Sequence, residues 1–331
     1  MKIGALDLGE RPLLLAPMED VTDVSFRVLC REQGAAVVYT EFVNSDGLVR
    51  DVPKTIAKMH TLEEEAPVGI QIYGQHPDAM VEAARMAEKA AELTGGHGAD
   101  LIDINFGCPV SKIAGRGAGS GMMREPDKMV AITKAVVEAV GKPVTVKTRL
   151  GWDDNSRIIV ELAERLQDVG IAALTIHGRT RCQLYKGAAD WTLIGAVKAN
   201  PRMHIPIIGN GDITDGPSAR EAFERFGVDG IMIGRATFGH PWIFREIRHY
   251  LDHGEPLPAL SVAERVALAR RHLALSLRYK GEPRGIYEMR RHLSCYFKGL
   301  PDFKETRMRM VTTLDVAELY SILDTIEQRY D

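Results

Sequence analysis

The chain has 331 residues, a net charge of −3, 45% hydrophobic and 26% charged side chains, proportions that exclude disorder as the main state and a uniformly basic nucleic-acid coat protein. No run approaches the ~18 uninterrupted apolar residues of a membrane span, and the opening MKIGALDLGERP carries charges where a signal peptide needs its apolar stretch. A cytoplasmic protein, probed by no membrane, is expected. Cys30, Cys108, Cys182 and Cys295 stand far apart with no CxxC pair, which argues against a zinc site and a disulfide framework.

In chain order, eight short β-rich runs recur: LLLAPM from Leu13, VVYTEF from Val37, VGIQIYG from Val68, LIDINFG from Leu101, VTVKTR from Val144, ALTIHG from Ala173, IPIIGNG near Pro206 and GIMIGR near Gly230. Between them lie stretches with helical spacing, such as Met80, Ala84, Ala87, Ala91 and Met129, Ile132, Val136, Val140. Gly34, Gly95, Gly141, Gly170 and Gly227 follow these stretches, where left-handed caps are expected. Strands about 25 to 45 residues apart leave room for crossover helices and so pair in parallel. Eight near-continuously apolar strands favour closure over an open doubly wound sheet.

After Phe244 the rhythm changes through HGEPLPALS. From Ser261 onward only helical faces are readable, among them Leu268, Leu275 and Ile286, Met289, Leu293, Phe297. The expected class is α/β: a (β/α)8 TIM barrel over 1–250, a connector over 251–260 and a C-terminal all-helical domain over 261–331. Between Leu260 and Arg309 stand twelve basic residues against five acidic ones. A positive appendage on an acidic barrel points to an anionic macromolecule at that end.

In a parallel barrel, reactive groups sit where strands end. Here those positions hold Ala16-Pro17-Met18, Gln71, Asn105 with Cys108 beyond, Lys147 and Arg149, His177 and Arg179, Asn210-Gly211-Asp212, and Gly234-Arg235. Glycines after the seventh and eighth strands suit close backbone approach to a phosphate, with Arg235 adding a charged contact. Lys147 lies on a strand buried by Val144 and Val146; it needs an anionic ligand at the mouth or a carboxylate such as Asp103. Cys108, held between Gly107 and Pro109, is either a proton donor as the thiol or a nucleophile as the thiolate. Cys30, Cys182 and Cys295 read as small buried hydrophobes. His177 has no second histidine at ligand spacing; a neutral ring donating to a cofactor carbonyl is expected, and no metal.

Taken together, APMEDVTDVSFR, VGIQIYG, GADLIDINFGCPVSKI, VTVKTRLGWDD, LTIHGRTRCQLYKGAADW, IPIIGNGDI, GIMIGRATFGHPWIF and RRHLSCYFKGLP resemble the tRNA-dihydrouridine synthase family, most closely its bacterial B-type branch. The resemblance implies an FMN-containing barrel with a helical tRNA-binding domain, reducing a specific uridine in tRNA to 5,6-dihydrouridine with NADPH. It implies that Ala16, Pro17, Met18, Gln71, Lys147, His177, Asn210, Gly211, Asp212, Gly234 and Arg235 surround FMN. It further implies that hydride passes from flavin N5 to C6 of the uracil, with Cys108 as the acid at C5. Asn105, Arg149 and Arg179 are expected at the substrate, and Arg270, Arg271, Arg290, Arg291 and Lys298 on tRNA phosphates. Glu19-Asp20 after APM and the methionines of RGAGSGMM depart from the family pattern. A monomer is expected. Two other readings compete: a small-molecule flavin oxidoreductase of the dihydroorotate or dihydropyrimidine dehydrogenase type, which has no need of a basic tail, and a tRNA folding chaperone with an inactive barrel, which has no need of Cys108 and Lys147.

Overall fold

A computed structural model describes residues 1–331. Eight strands occupy the expected runs: β1 (Leu13–Leu15), β2 (Val38–Tyr39), β3 (Val68–Tyr73), β4 (Leu101–Asn105), β5 (Val144–Arg149), β6 (Ala173–His177), β7 (Ile207–Asn210) and β8 (Gly230–Ile233). From β2 to β8 each pairs in parallel with the next, and β8 returns to β1 with Ile231 opposite Leu13. Closure between β1 and β2 is slight: one bridge joins Leu14 to Val37, and the Leu15 N–H donates to the Val37 carbonyl at 2.9 Å. Burial on both faces explains why these strands read as apolar runs rather than alternating ones. The fold is therefore a nearly closed (β/α)8 barrel with helices outside.

The outer helices are α1 (Val24–Glu32), α2 (Pro77–Glu88), α3 (Pro126–Ala139), α4 (Ile159–Asp168), α5 (Thr192–Ala199), α6 (Gly216–Phe226) and α7 (Ile243–His253). Two of these escape the apolar spacing. α5 has only two turns and contains Gly195, where a Cβ would come within 3.0 Å of the Phe226 ring, so the pattern ends before it repeats. α7 buries only Ile243, Phe244 and Ile247, so its second half reads as polar connector. Among the expected caps, Gly34, Gly95, Gly170 and Gly227 have positive φ, but Gly141 does not. α3 instead ends in extended backbone at Val140, and the Gly141 N–H donates to Glu88 Oε1 at 2.7 Å.

Beyond the barrel come α8 (Val262–Lys280), α9 (Arg284–Tyr296), α10 (Lys304–Thr312) and α11 (Val316–Tyr330). They share an apolar cluster of their own, including Val266, Leu273, Ile286, Met289, Leu293, Phe297, Leu319 and Leu323. On α8 the stripe runs through Val266, Ala269 and Leu273, with Leu268 at its edge. No helix is long and apolar enough to cross a membrane.

The helical region is seated on α1. Phe26 of α1 packs against both His272 and His292, with centroids 5.4 and 4.3 Å away. Asp23, which caps α1 by accepting from the Phe26 N–H, also pairs with Lys280, and Lys280 pairs in turn with Glu288. Gly239, after β8, meets α9 so closely that a Cβ there would fall 2.6 Å from the Tyr296 backbone nitrogen.

Candidate functional site

The carboxyl ends of the strands surround a cavity of about 580 Å³. Fourteen of the twenty expected site residues line it: Ala16, Pro17, Met18, Asn105, Cys108, Lys147, Arg149, His177, Asn210, Gly211, Asp212, Gly234, Arg235 and Arg291. They converge there because parallel strands all end on the same rim. Arg291 reaches the cavity from α9, so the helical region supplies part of the wall.

Lys147 rises from β5 and donates to Asn210 Oδ1 on β7 at 3.1 Å. Burial and the neighbouring Arg149 lower its pKa to about 8. Of the two partners expected for it, Asp103 makes no ion pair with Lys147; burial raises the Asp103 carboxyl to about 6. Burial, then the charges of Arg149, Lys147, Arg179 and Arg235, pushes His177 well below its ordinary range, so the ring is neutral. Its Nε2 lies 3.3 Å from Arg179 Nη1. Guanidinium can only donate, so Nε2 accepts and Nδ1 carries the proton.

Cys108 follows β4 in a loop whose Gly107 and Cys108 N–H groups both donate to Asn105 Oδ1 at 2.9 Å. Burial raises the Cys108 pKa despite the opposing effect of Arg149. At neutral pH the group is therefore held as the thiol rather than the thiolate.

Six expected residues lie elsewhere. Gln71 is fully buried beneath the cavity, where its amide is taken by Asp103 and Asn105. Arg179 is also buried: it pairs with Asp212 at 2.6 Å and donates to the Gly187 carbonyl, so it braces the loop after β6. Arg149 does line the cavity, with Nε donating to the Gly107 carbonyl and Nη1 to those of Thr180 and Leu184. Asp212 likewise spends its carboxylate on Arg179, Arg235 and the Ala189 N–H. On the helices, Arg270 pairs with Asp324, Arg271 with Glu32 at 2.7 Å, and Arg290 donates to the Thr312 carbonyl at 3.0 Å. Arg291 and Lys298 remain exposed without such partners. Among the cysteines, Cys182 is exposed and Cys295 half-buried, contrary to expectation.

Sequence reasoning missed Tyr185, an exposed aromatic in the loop after β6 that lines the cavity. The Arg149 and Arg235 guanidinium groups lie 5.6 and 4.9 Å from its ring centre. Its signal was an aromatic among Gly and basic residues in LYKG. Phe42 and Phe238 add apolar wall.

A parallel barrel with a half-buried lysine, a neutral histidine, a thiol and a glycine-arginine rim at one mouth defines a (β/α)8 enzyme whose cavity opens at the carboxyl ends of its strands. The chain belongs to the dihydrouridine synthase (Dus) family, which matches residues 14–329. It is 41% identical to the probable tRNA-dihydrouridine synthase of Rickettsia conorii over 308 residues, covering 93% of this chain and 90% of that protein. It is 43% identical to tRNA-dihydrouridine synthase B of Klebsiella pneumoniae over 298 residues, 90% of each chain. Among solved structures, the fold is similar to 2-naphthoyl-CoA reductase, with TM-score 0.54 and 12% identity over 77% of this chain and 52% of that one. It is also similar to the old yellow enzyme homologue of Zymomonas mobilis, with TM-score 0.51 and 14% identity over 78% and 93%. The chain thus spans about half of the first of these structures.

Proposed function

We propose that this protein reduces a uridine of tRNA to 5,6-dihydrouridine with FMN as cofactor and NADPH as reductant. The observation that carries the reading is that Cys108, whose thiol burial disfavours ionising, lines the same cavity as Lys147 and the Gly211, Gly234, Arg235 rim.

The residues present fit such a cofactor. The volume of about 580 Å³ lies within the ~300–1,000 Å³ of ligand pockets. Gly211 has φ +127°, and a Cβ there would lie 2.7 Å from that of Ala189, so close backbone approach is built in. Ala16, Pro17 and Met18 would hold one side, and Gly211, Gly234 and Arg235 the phosphate. When bound, FMN supplies hydride for C6 of the uracil.

Hydride at C6 pushes electrons onto C5 and O4, so a proton is needed at C5; Cys108 donates it from sulfur. Lys147, held by Asn210, balances negative charge at the mouth, and His177 donates from Nδ1. Arg291 and Lys298 contact phosphates of the tRNA, whose uridine must leave its stack to enter the cavity. Residues 1–250 then act as the catalytic unit, 251–260 as the connector and 261–331 as the tRNA-binding unit, in a monomeric cytoplasmic enzyme.

The test is direct. Purified protein should carry FMN and form dihydrouridine on tRNA with NADPH, and Cys108→Ala should lose about 10²–10⁴-fold in rate, the usual worth of an acid catalyst. A protein that takes up no flavin, or a Cys108→Ala variant with full activity, would sink the reading.

A further inference from the structure

Below the cavity floor, three inward-facing side chains of β3 and β4 form a chain of hydrogen bonds. Asp103, Gln71 and Asn105 are 0%, 0% and 6% exposed. They share one face because Asp103 and Asn105 are two residues apart on β4 and Gln71 pairs in register with Asp103. Asp103 Oδ1 accepts from Thr145 Oγ1 at 2.5 Å and Oδ2 from Gln71 Nε2 at 2.6 Å.

A carboxylate offers acceptors only. Gln71 must therefore turn its NH2 towards Asp103, which leaves Oε1 facing Asn105. There Oε1 accepts from Asn105 Nδ2 at 2.8 Å. That contact leaves Asn105 Oδ1 facing the next loop, where it accepts from the Gly107 and Cys108 N–H groups. Cross-strand packing alone would explain why these groups are buried, but an amide can face either way. The sense of both amides follows from the one carboxylate at the start of the chain.

We infer that Asp103 is a positioning residue that acts through Gln71 and Asn105 to hold the Cys108 loop, and with it the direction of the thiol. The inference rests on Cys108 being the proton donor. Reversal of Gln71 would set its NH2 against that of Asn105, and reversal of Asn105 in turn would set its NH2 against the Gly107 and Cys108 N–H groups, freeing Cys108 from its anchor.

The test compares Asp103→Asn with Asp103→Leu in a Cys182→Ser, Cys295→Ser background, which leaves Cys108, on the cavity wall, and the fully buried Cys30 as the remaining thiols. Iodoacetamide alkylation of Cys108, its pH profile, FMN content, and kcat and KM on tRNA are measured. Asparagine still offers an oxygen to Gln71 and can give its NH2 to the Thr145 hydroxyl, so Asp103→Asn should match the parent. Asp103→Leu should bind FMN with an unchanged KM, alter the alkylation rate, and lower kcat about 10²-fold, the loss a ~1 Å misplacement brings. A folded Asp103→Leu with parental alkylation and kcat overturns the inference. So does Asp103→Asn falling as far as Asp103→Leu, because charge rather than hydrogen-bond sense would then be what matters. Should Asp103→Leu fail to fold, Gln71→Met breaks the same chain and should show the same kcat loss; parental behaviour there overturns it. Full activity in Cys108→Ala would sink the proton-donor reading, while the alkylation comparison would still decide whether Asp103 orients the loop.

Discussion

Lys147 on β5 donates to Asn210 Oδ1 on β7 at 3.1 Å, reaching past β6 across the barrel mouth. The contact is to a neutral amide, so the ammonium charge stays available to a ligand. With a pKa lowered to about 8 by burial and Arg149, Lys147 is charged at neutral pH and discharges as pH rises. The rate of dihydrouridine formation should therefore fall on the alkaline side, through about pH 8, and Lys147→Met should abolish that limb together with most of the rate. A pH profile of kcat for both proteins checks this; an alkaline limb surviving unchanged in Lys147→Met would contradict it.

Gly211→Ala should lose FMN. Its φ of +127° is unfavourable for alanine, and the added methyl would meet Ala189 at 2.7 Å and the His177 ring at 3.1 Å. Flavin absorbance after purification, with circular dichroism to show an intact fold, gives the answer.

Arg291→Ala should weaken tRNA binding and reduce the slope of log K against log salt by about one contact. Arg271→Ala should do so less, because Arg271 is already paired with Glu32. Binding titrations at several salt concentrations distinguish the two.

Lys280→Met should destabilise the seat of the helical region. It would strand Asp23, 13% exposed, opposite Glu288 without a cation; breaking a buried pair this way costs about 3–5 kcal/mol. Burial opposes ionisation of Asp23, yet Lys280 and His272 hold its carboxyl well below the usual range. The sign follows: this stability is present above the ordinary carboxylate pKa and drains away as pH falls below it. Urea unfolding of Lys280→Met and the parent across acid pH should show the gap closing on acidification.

All eight strands were legible because strands buried on both faces leave continuous apolar runs, and the rim residues followed from where those runs stop. What escaped depends on partners distant in sequence. Arg271 is spent on Glu32 of α1 and Arg179 on Asp212 after β7, pairings that no local spacing encodes. Gln71 stands at a strand end in sequence, yet β3 continues through Tyr73, so its side chain points into the layer below the mouth. Tyr185 was missed because a loop aromatic has no periodicity to mark it.

The wall that Arg291 contributes means that the barrel alone encloses only part of its reaction chamber. Severing the protein at residues 251–260 would strip that guanidinium from the enclosure and leave its place to water.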